Sequence, residues 1–295
     1  MTIFNLPSSS LMTNFTASCR RIDSIIGYWW VALVVLMFST ANVQAATLQV
    51  RVPSPPPSSK GHSNYFPQLL RLALEKTRAT DGPFEISHYK HPLSSLRQIA
   101  ELKKSGAVNL MWDGTNRERE AELLAVRISL LRELNDYRVF LIRAEDQGRF
   151  RAVRSLDDLR QMRAGAGVNW PSTEILRANG LPVATSITFE NLFAMLRVKR
   201  FDYMPRGVYE AFYEQRTHAS EGIVIEKTIF LHYHVPFYFF VSRDNPALAD
   251  RIERGLNLAL KDGSFDALFN SFPSFKSGLA EIKAKRRRVF ELKLL

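Results

Sequence analysis

Two hydrophobic patterns alternate along the chain from residue 46 onward. In the first, apolar and polar residues take turns, as in Leu48–Val52, and this is typical of a half-buried β-strand. In the second, apolar residues recur at the spacing of one helix face, as at Phe66, Leu69 and Ala73. The alternation of strands with helices predicts an α/β architecture, with mainly parallel sheets covered by helices.

The same two patterns give the predicted element boundaries. Strands are predicted over 48–52, 84–89, 108–112, 137–142, 166–168, 183–188, 201–204, 223–231 and 237–241. Helices are predicted over 64–79, 93–102, 171–180, 190–198, 208–216, 246–260 and 264–272, with others after Ser155 and after Phe275. The Ser155 helix begins with a capping sequence, in which the serine accepts a hydrogen bond from a free backbone N–H.

The N-terminus has the pattern of a signal peptide. Arg20 and Arg21 precede an apolar run of 14 residues, 25–38, which is short for a bilayer about 30 Å thick but suits a signal-peptide core. Val43 and Ala45 are small residues at the −3 and −1 positions of a cleavage site. We therefore predict that 1–45 is a signal peptide, cleaved near Ala45, and that the protein is periplasmic. The alternative is an uncleaved membrane anchor.

Charge and cysteine content narrow the possible partners. The chain has 40 Lys and Arg against 29 Asp and Glu, a net charge of +11, and its one cysteine is Cys19. Cleavage removes Cys19, so the mature chain has no disulfide framework and no cysteine-ligated metal site. Export argues against a nucleic-acid partner, and the basic run 285–288 is interpreted as an exposed C-terminal surface.

Two segments have the same order of features. Residues 102–114 and 196–207 each end a helix, pass through basic residues, form a strand and stop at polar residues. We interpret them as belonging to two analogous lobes. Ligands of open α/β sheets bind beyond the carboxyl ends of the strands, so a cleft between the lobes is the predicted site.

Four stretches resemble one family. They are 108–119, 155–168, 189–203 and 237–266, in this order along the chain. Together they are similar to the periplasmic solute-binding proteins of the amino-acid-binding kind (family 3), which have the type II periplasmic-binding fold. The resemblance covers essentially all of 46–272.

The resemblance implies a two-lobed protein with a ligand cleft. Lobe 1 would comprise 46–140 plus 233–295, lobe 2 would comprise 141–232, and the chain would cross between them near 137–143 and 229–235. Such a protein captures a small anionic or amino-acid-like solute as a monomer, without a cofactor, and passes it to an ABC permease. Ligand binding closes the lobes about the crossings.

The resemblance also indicates site residues, with departures from the family pattern. In the family an arginine after a threonine of lobe 1 grips the ligand's α-carboxylate. Here Thr115 is followed by Arg117 and Arg119, and spacing does not choose between them. Lobe 2 has Arg206 where the family has an acidic residue. A plain α-amino acid is therefore not expected, and arginines on both lobes favour a ligand with two acidic ends.

Other candidate residues stand at element ends. Trp112 would stack on the ligand or belong to the core, and Asp113 would accept a ligand donor or cap the next turn. A further group is Trp170, Ser172 and Thr173, at a helix start whose free N–H groups and hydroxyls would form an anion cradle. The alternative there is ordinary helix capping.

The sequence also bears on several other functions. His232 and His234 share a strand face but have no evident third ligand, so no metal is predicted. Gly165 and Gly167 lack the spacing of a dinucleotide loop and are interpreted as a tight strand-to-helix passage. A dehydratase-like enzyme would need a cleft carboxylate with a raised pKa, for which Asp113 or Glu118 is the candidate. The remaining alternative is a non-transport accessory or sensor protein, working with a membrane sensor.

Overall fold

The computed structural model describes Met1 and, of residues 46–294, all but 55–61, 63, 92 and 105. The predicted signal peptide, Met1 apart, and the prolines at 55–57 therefore lie outside the described residues. The chain from Ala46 onward forms one compact unit. No helix of the described residues combines the length and the hydropathy that crossing a bilayer requires.

Strands and helices alternate through this unit. The strands are β1 Leu48–Val52, β2 Phe84–His88, β3 Leu110–Gly114, β4 Leu123–Val126, β5 Tyr137–Arg143, β6 Ala164–Gly167, β7 Val183–Ser186, β8 Met204–Gly207, β9 Ile223–Ile225, β10 Ile229–His232, β11 Phe237–Ser242 and β12 Arg288–Glu291. The helices are α1 Tyr65–Lys76, α2 Arg78–Asp81, α3 Ser95–Lys103, α4 Arg117–Glu122, α5 Gln147–Ala152, α6 Leu156–Arg160, α7 Pro171–Ala178, α8 Phe189–Arg197, α9 Val208–Thr217, α10 Pro246–Lys261, α11 Ser264–Ser271 and α12 Pro273–Lys283.

The strands fall into two groups, which we name the first and second sheets. The first comprises the pair β2–β1 and the three-stranded order β3-β11-β4; the two parts meet where the N–H of Asn109, just before β3, donates to the carbonyl of Arg51 in β1 at 2.9 Å. The second contains β12-β10-β5-β8 in order, with β9 also on β5. The pair β6–β7 joins it through a bridge between Ala164 and Tyr203, just before β8.

The prediction of mainly parallel sheets holds only in part. The pairs β1–β2, β6–β7 and β10–β12 are parallel. In contrast, β5 runs antiparallel to β8, β9 and β10, and β11 runs antiparallel to β3 and β4. The strands β5 and β11 are the first strands after the chain passes from one sheet to the other. Neither strand is linked to its neighbours by successive β-α-β units, so the parallel rule of such units does not apply to them.

Local predictions were mostly confirmed at the level of elements. The predicted apolar face of α1 is buried, including Phe66, Leu69 and Ala73. The helix α6 begins with the predicted capping box, in which Ser155 and Asp158 satisfy each other's backbone N–H groups. The predicted strand 201–204 lies instead at Met204–Gly207, and sequence analysis missed β4 and β12.

The C-terminal basic run is not a simple exposed surface. Arg287 is buried, and its Nε donates to Glu281 Oε1 at 2.6 Å, while its Nη1 donates to the carbonyl of Glu226. Arg288 donates to the carbonyl of Val153. The strand β12 that begins at Arg288 pairs in parallel with β10 of the second sheet, although the predicted division assigns residues 233–295 to lobe 1. The long-range partners of this run are invisible in a local charge pattern.

Candidate functional site

A cleft of about 310 Å³ is lined by residues from both sheets and their helices. Predicted site residues that border it are Trp112, Asp113, Trp170, Ser172 and Arg206. Its lining does not include Thr115, Arg117, Arg119 or Thr173. Its volume lies at the lower end of the range for small-molecule sites, about 300–1,000 Å³.

One wall of the cleft is a stack of three aromatic rings. Phe66 of α1 lies parallel to Trp112 of β3, with ring centroids 5.4 Å apart, and to Phe237 of β11 at 5.1 Å. The register of β3 on β11 places Trp112 beside Phe239, and Gly114 opposite Phe237. Trp112 is half-buried, so it both packs on the core and presents a surface to the cleft.

The other wall comes from the second sheet. Trp170 immediately precedes α7, Phe189 begins α8, and their ring centroids lie 6.1 Å apart. The absence of a side chain at Gly167 makes room for the indole, because a Cβ there would lie 2.4 Å from Trp170 Nε1. Thr173 is buried, and its hydroxyl donates to the Gly167 carbonyl at 2.7 Å, so it fixes this turn and does not face the cleft.

Arg206 is enclosed by carboxylates. Its Nε and Nη2 donate to the two oxygens of Glu214 at 2.7 and 2.6 Å, and Nη2 also meets Glu210 Oε2 at 2.8 Å. The guanidinium lies 4.7 Å from the Trp170 ring centroid and 5.0 Å from that of Phe189. Burial alone would lower the Arg206 pKa, but the two carboxylates hold it well above its ordinary value. Arg206 borders the cleft as a neutralised group.

The predicted arginines of α4 differ in environment. Arg117 is exposed, whereas Arg119 is buried and pairs with Asp113 Oδ2 at 2.9 Å and with the carbonyl of Gly114. Asn116 caps the helix by accepting from the Arg119 N–H at 2.8 Å. The Thr115 hydroxyl donates to Glu120, at 2.5 Å. Arg119 is thus already paired with a carboxylate of the protein itself. With Arg206 also neutralised, the structure gives no support to a ligand with two acidic ends held by these arginines.

Two residues that line the cleft were not predicted from the sequence. Arg138 of β5 and His62, before α1, both line the cleft and are buried. Arg138 Nη1 and His62 Nδ1 have no hydrogen-bond partner among the described residues. A cation inside the apolar strand β5 was a usable signal, because a charge is buried only where a partner or ligand compensates it. The loop position of His62 carried no such signal.

The remaining histidines of interest have protein partners. His232 Nδ1 lies 2.6 Å from Glu291 Oε2, and His234 Nδ1 lies 2.9 Å from Asp136 Oδ2. The second pair joins the residue before β5 to the segment between β10 and β11, where the chain passes between the sheets. Over the residues described, no group of three or more metal-ligating side chains occurs.

Burial of His62 should make stability depend on pH. Burial lowers its pKa from 6.5 to about 4; Glu210 opposes this shift and Arg206 adds to it. Between these values the unfolded chain binds a proton that the folded chain does not, so stability falls as the pH falls from 6.5 towards 4. We expect wild type to lose about 2 kcal/mol more than His62→Gln between pH 7.5 and pH 5. Urea unfolding at both pH values measures this, and equal losses would contradict it.

Comparison with known proteins identifies the fold. No protein-family model matches the sequence, and no curated protein sequence is similar to it. An ancestral arginine-binding protein bound to arginine is 15% identical over 76% of this chain and 98% of its own, with a TM-score of 0.57. The GluR0 ligand-binding core from Nostoc punctiforme, in complex with L-glutamate, is 16% identical over 77% of this chain and 99% of its own, with a TM-score of 0.56.

A third structure with this fold belongs to a different kind of protein. It is a histidine kinase sensor domain with similarity to periplasmic binding proteins, 15% identical over 78% of this chain and 97% of its own, with a TM-score of 0.57. At these identities the likeness concerns the fold. The chain therefore has the two-lobed, α/β fold of the periplasmic binding proteins, and the predicted fold class is confirmed.

Proposed function

We propose that this protein binds a small anionic or amino-acid-like solute in the cleft between its lobes. The observation that carries the proposal is the pair of facing aromatic walls, with Phe66, Trp112 and Phe237 on one side and Trp170 and Phe189 on the other. Aromatic faces contributed by two different lobes form a slot for a small molecule, and they bury apolar surface when the lobes approach. The ligand then stabilises the closed arrangement through contacts made only there.

Solute capture for transport is the form of this function that we favour. The neighbours include proteins solved with bound arginine and glutamate, which supports a small-molecule ligand. On this proposal the protein is exported through its N-terminal segment, acts in the periplasm as a monomer and delivers its solute to an ABC permease. Predicted site residues on the cleft are Trp112, Asp113, Trp170, Ser172 and Arg206.

A sensor or accessory role is the second candidate, favoured by the likeness to a histidine kinase sensor domain. An enzymatic role has weaker support. Asp113 is paired with Arg119, and Glu118 is exposed. Burial raises the pKa of Glu214, but both of its carboxylate oxygens accept from Arg206, which leaves it poorly placed as a proton donor to a substrate.

A thermal-shift screen tests the proposal. Purified protein is heated with amino acids, dicarboxylates, short peptides and aromatic acids in turn. A ligand at 100 times its Kd adds about 2.7 kcal/mol to the free energy of unfolding, which for a chain of this size raises Tm by about 5–10 °C. A hit recovered chemically unchanged supports solute binding, and turnover would support the enzyme. Absence of any hit would contradict solute capture and favour the accessory role.

A further inference from the structure

The carboxylates that line the cleft are all engaged with arginines. Asp113 pairs with Arg119, while Glu210 and Glu214 share Arg206. Both oxygens of Asp113 and of Glu210 also have defined partners, because Asp113 Oδ1 accepts from the Gly114 N–H at 2.8 Å and Glu210 Oε1 from the Gly207 N–H at 2.9 Å. A ligand ammonium entering the cleft therefore meets carboxylates whose oxygens already accept hydrogen bonds from the protein's own donors.

Arg138, in contrast to these carboxylates, has no ion-pair partner among the described residues. Only 8% of the residue is exposed, and its Nη1 has no hydrogen-bond partner within the described part of the chain. Its Nε donates to the Tyr233 hydroxyl at 3.0 Å, and the guanidinium lies 5.0 Å from the Tyr233 ring centroid. A buried guanidinium N–H without a hydrogen-bond partner costs stability, and an anion seated on Nη1 would remove that cost.

His62 supplies a second unsatisfied group beside the same aromatic ring. Its imidazole meets Tyr209 edge-on, with ring centroids 5.0 Å apart, and its Nδ1 has no partner. Arg138 also lies near Tyr209. A Cβ on Gly207 would lie 2.4 Å from Tyr209 Cε1 and 3.3 Å from Arg138 Nη1. Gly207 thus lets Tyr209 and Arg138 come together, and both unsatisfied atoms lie around this ring.

We infer that the cleft selects a monocarboxylate with a planar apolar body and no ammonium group. Its carboxylate binds Arg138, with His62 donating a second hydrogen bond, and its body lies between the two aromatic walls. This inference rests on the proposed function and specifies its ligand class. Arg138 supplies a positive charge outside any ion pair, on which Glu210 acts only at longer range. The aromatic walls favour a flat apolar group, and the engaged carboxylates disfavour an ammonium.

Matched ligands that differ by one group test the selection. Titration calorimetry on the full chain compares phenylacetate with phenylglycine, 3-phenylpropionate with phenylalanine, and indole-3-propionate with tryptophan; 2-phenylethylamine lacks the carboxylate. We expect at least one of the carboxylates to bind and its amino-acid counterpart to bind at least about tenfold more weakly, because the added ammonium is desolvated without a free acceptor. We expect no binding of 2-phenylethylamine.

Variants then test the named residues. Arg138→Met should weaken the best carboxylate by about ten- to a hundredfold, and Arg138→Lys should weaken it less, because it keeps the charge. The amide of that ligand, in which an uncharged carboxamide replaces the carboxylate, should lose less than threefold in affinity in Arg138→Met. The Tm of each unliganded variant reports folding, and if Arg138→Met does not fold, His62→Asn provides the second test through a smaller loss of affinity.

The outcomes separate the inference from the proposed function. If amino acids or dicarboxylates bind while the monocarboxylates do not, or if Arg138→Met binds the carboxylate like wild type, the ligand class is wrong and solute binding stands. If no compound of the thermal-shift screen or of the matched set binds, both proposals fail.

Discussion

Replacing Arg206 with methionine is expected to lower the free energy of unfolding by about 3–5 kcal/mol, because it leaves buried carboxylates without their partner. Glu214 is 4% exposed, and the arginine is its bidentate partner, with bonds of 2.7 and 2.6 Å. Glu210 loses the same guanidinium at 2.8 Å. The change also removes the cation that lies against both the Trp170 and the Phe189 ring, so each ring loses a cation–π contact.

Urea unfolding at pH 7.5 measures this effect, and two further variants isolate its cause. Arg206→Met/Glu214→Gln should recover at least half of the lost stability, because the second change removes the unpaired buried charge. Arg78→Met breaks an exposed pair with Glu75 and should change stability by no more than about 0.5 kcal/mol. If the double variant is less stable than Arg206→Met, the cost lies in lost packing of the guanidinium and not in the buried charge.

The Arg206 cluster shows how far local sequence reasoning reaches. The polar end of the strand before α9 was identified from the pattern, and Arg206 does border the cleft. Its partners were also within reach, because Arg206, Glu210 and Glu214 follow one another at intervals of four residues. Glu210 and Glu214 lie on one face of α9, and Arg206 stands in β8 just before that helix begins. Read with the helix that was predicted over 208–216, this spacing indicates an arginine that pairs with carboxylates of the helix that follows it.

Contacts between distant segments set the limit of that reasoning. The pairing of β12 with β10 and the meeting of His62, Arg138 and Tyr209 join residues far apart in the chain. Periodicity reports which face of an element is apolar, but it does not report which other element covers that face. The pairing of Asp113 with Arg119 is nearer in sequence, but it requires the strand to end and the helix to begin so that the two side chains meet.

A close approach between two helices predicts a second large effect. The helices α1 and α10 pack together, and Gly255 of α10 lies against the backbone of Ala73 in α1. A Cβ at Gly255 would lie 2.0 Å from the Ala73 carbonyl oxygen and 2.6 Å from its carbon. Backbone atoms within a helix cannot yield as a flexible side chain does, so the helices must separate and lose buried apolar contact.

Gly255→Ala is therefore expected to destabilise the protein by about 3 kcal/mol and to lower Tm by about 6–12 °C, although alanine favours the helix by about 1 kcal/mol. Gly148→Ala in α5 is the matched control, because a Cβ there meets nothing within 4 Å. With helix propensity acting alone, that variant should be as stable as wild type or up to about 1 kcal/mol more stable. Thermal and urea unfolding of both variants separate propensity from packing. Equal stability of the two would mean that α1 and α10 are not held at this distance, and the apolar face of α1 would then be less tightly covered than the structure has it.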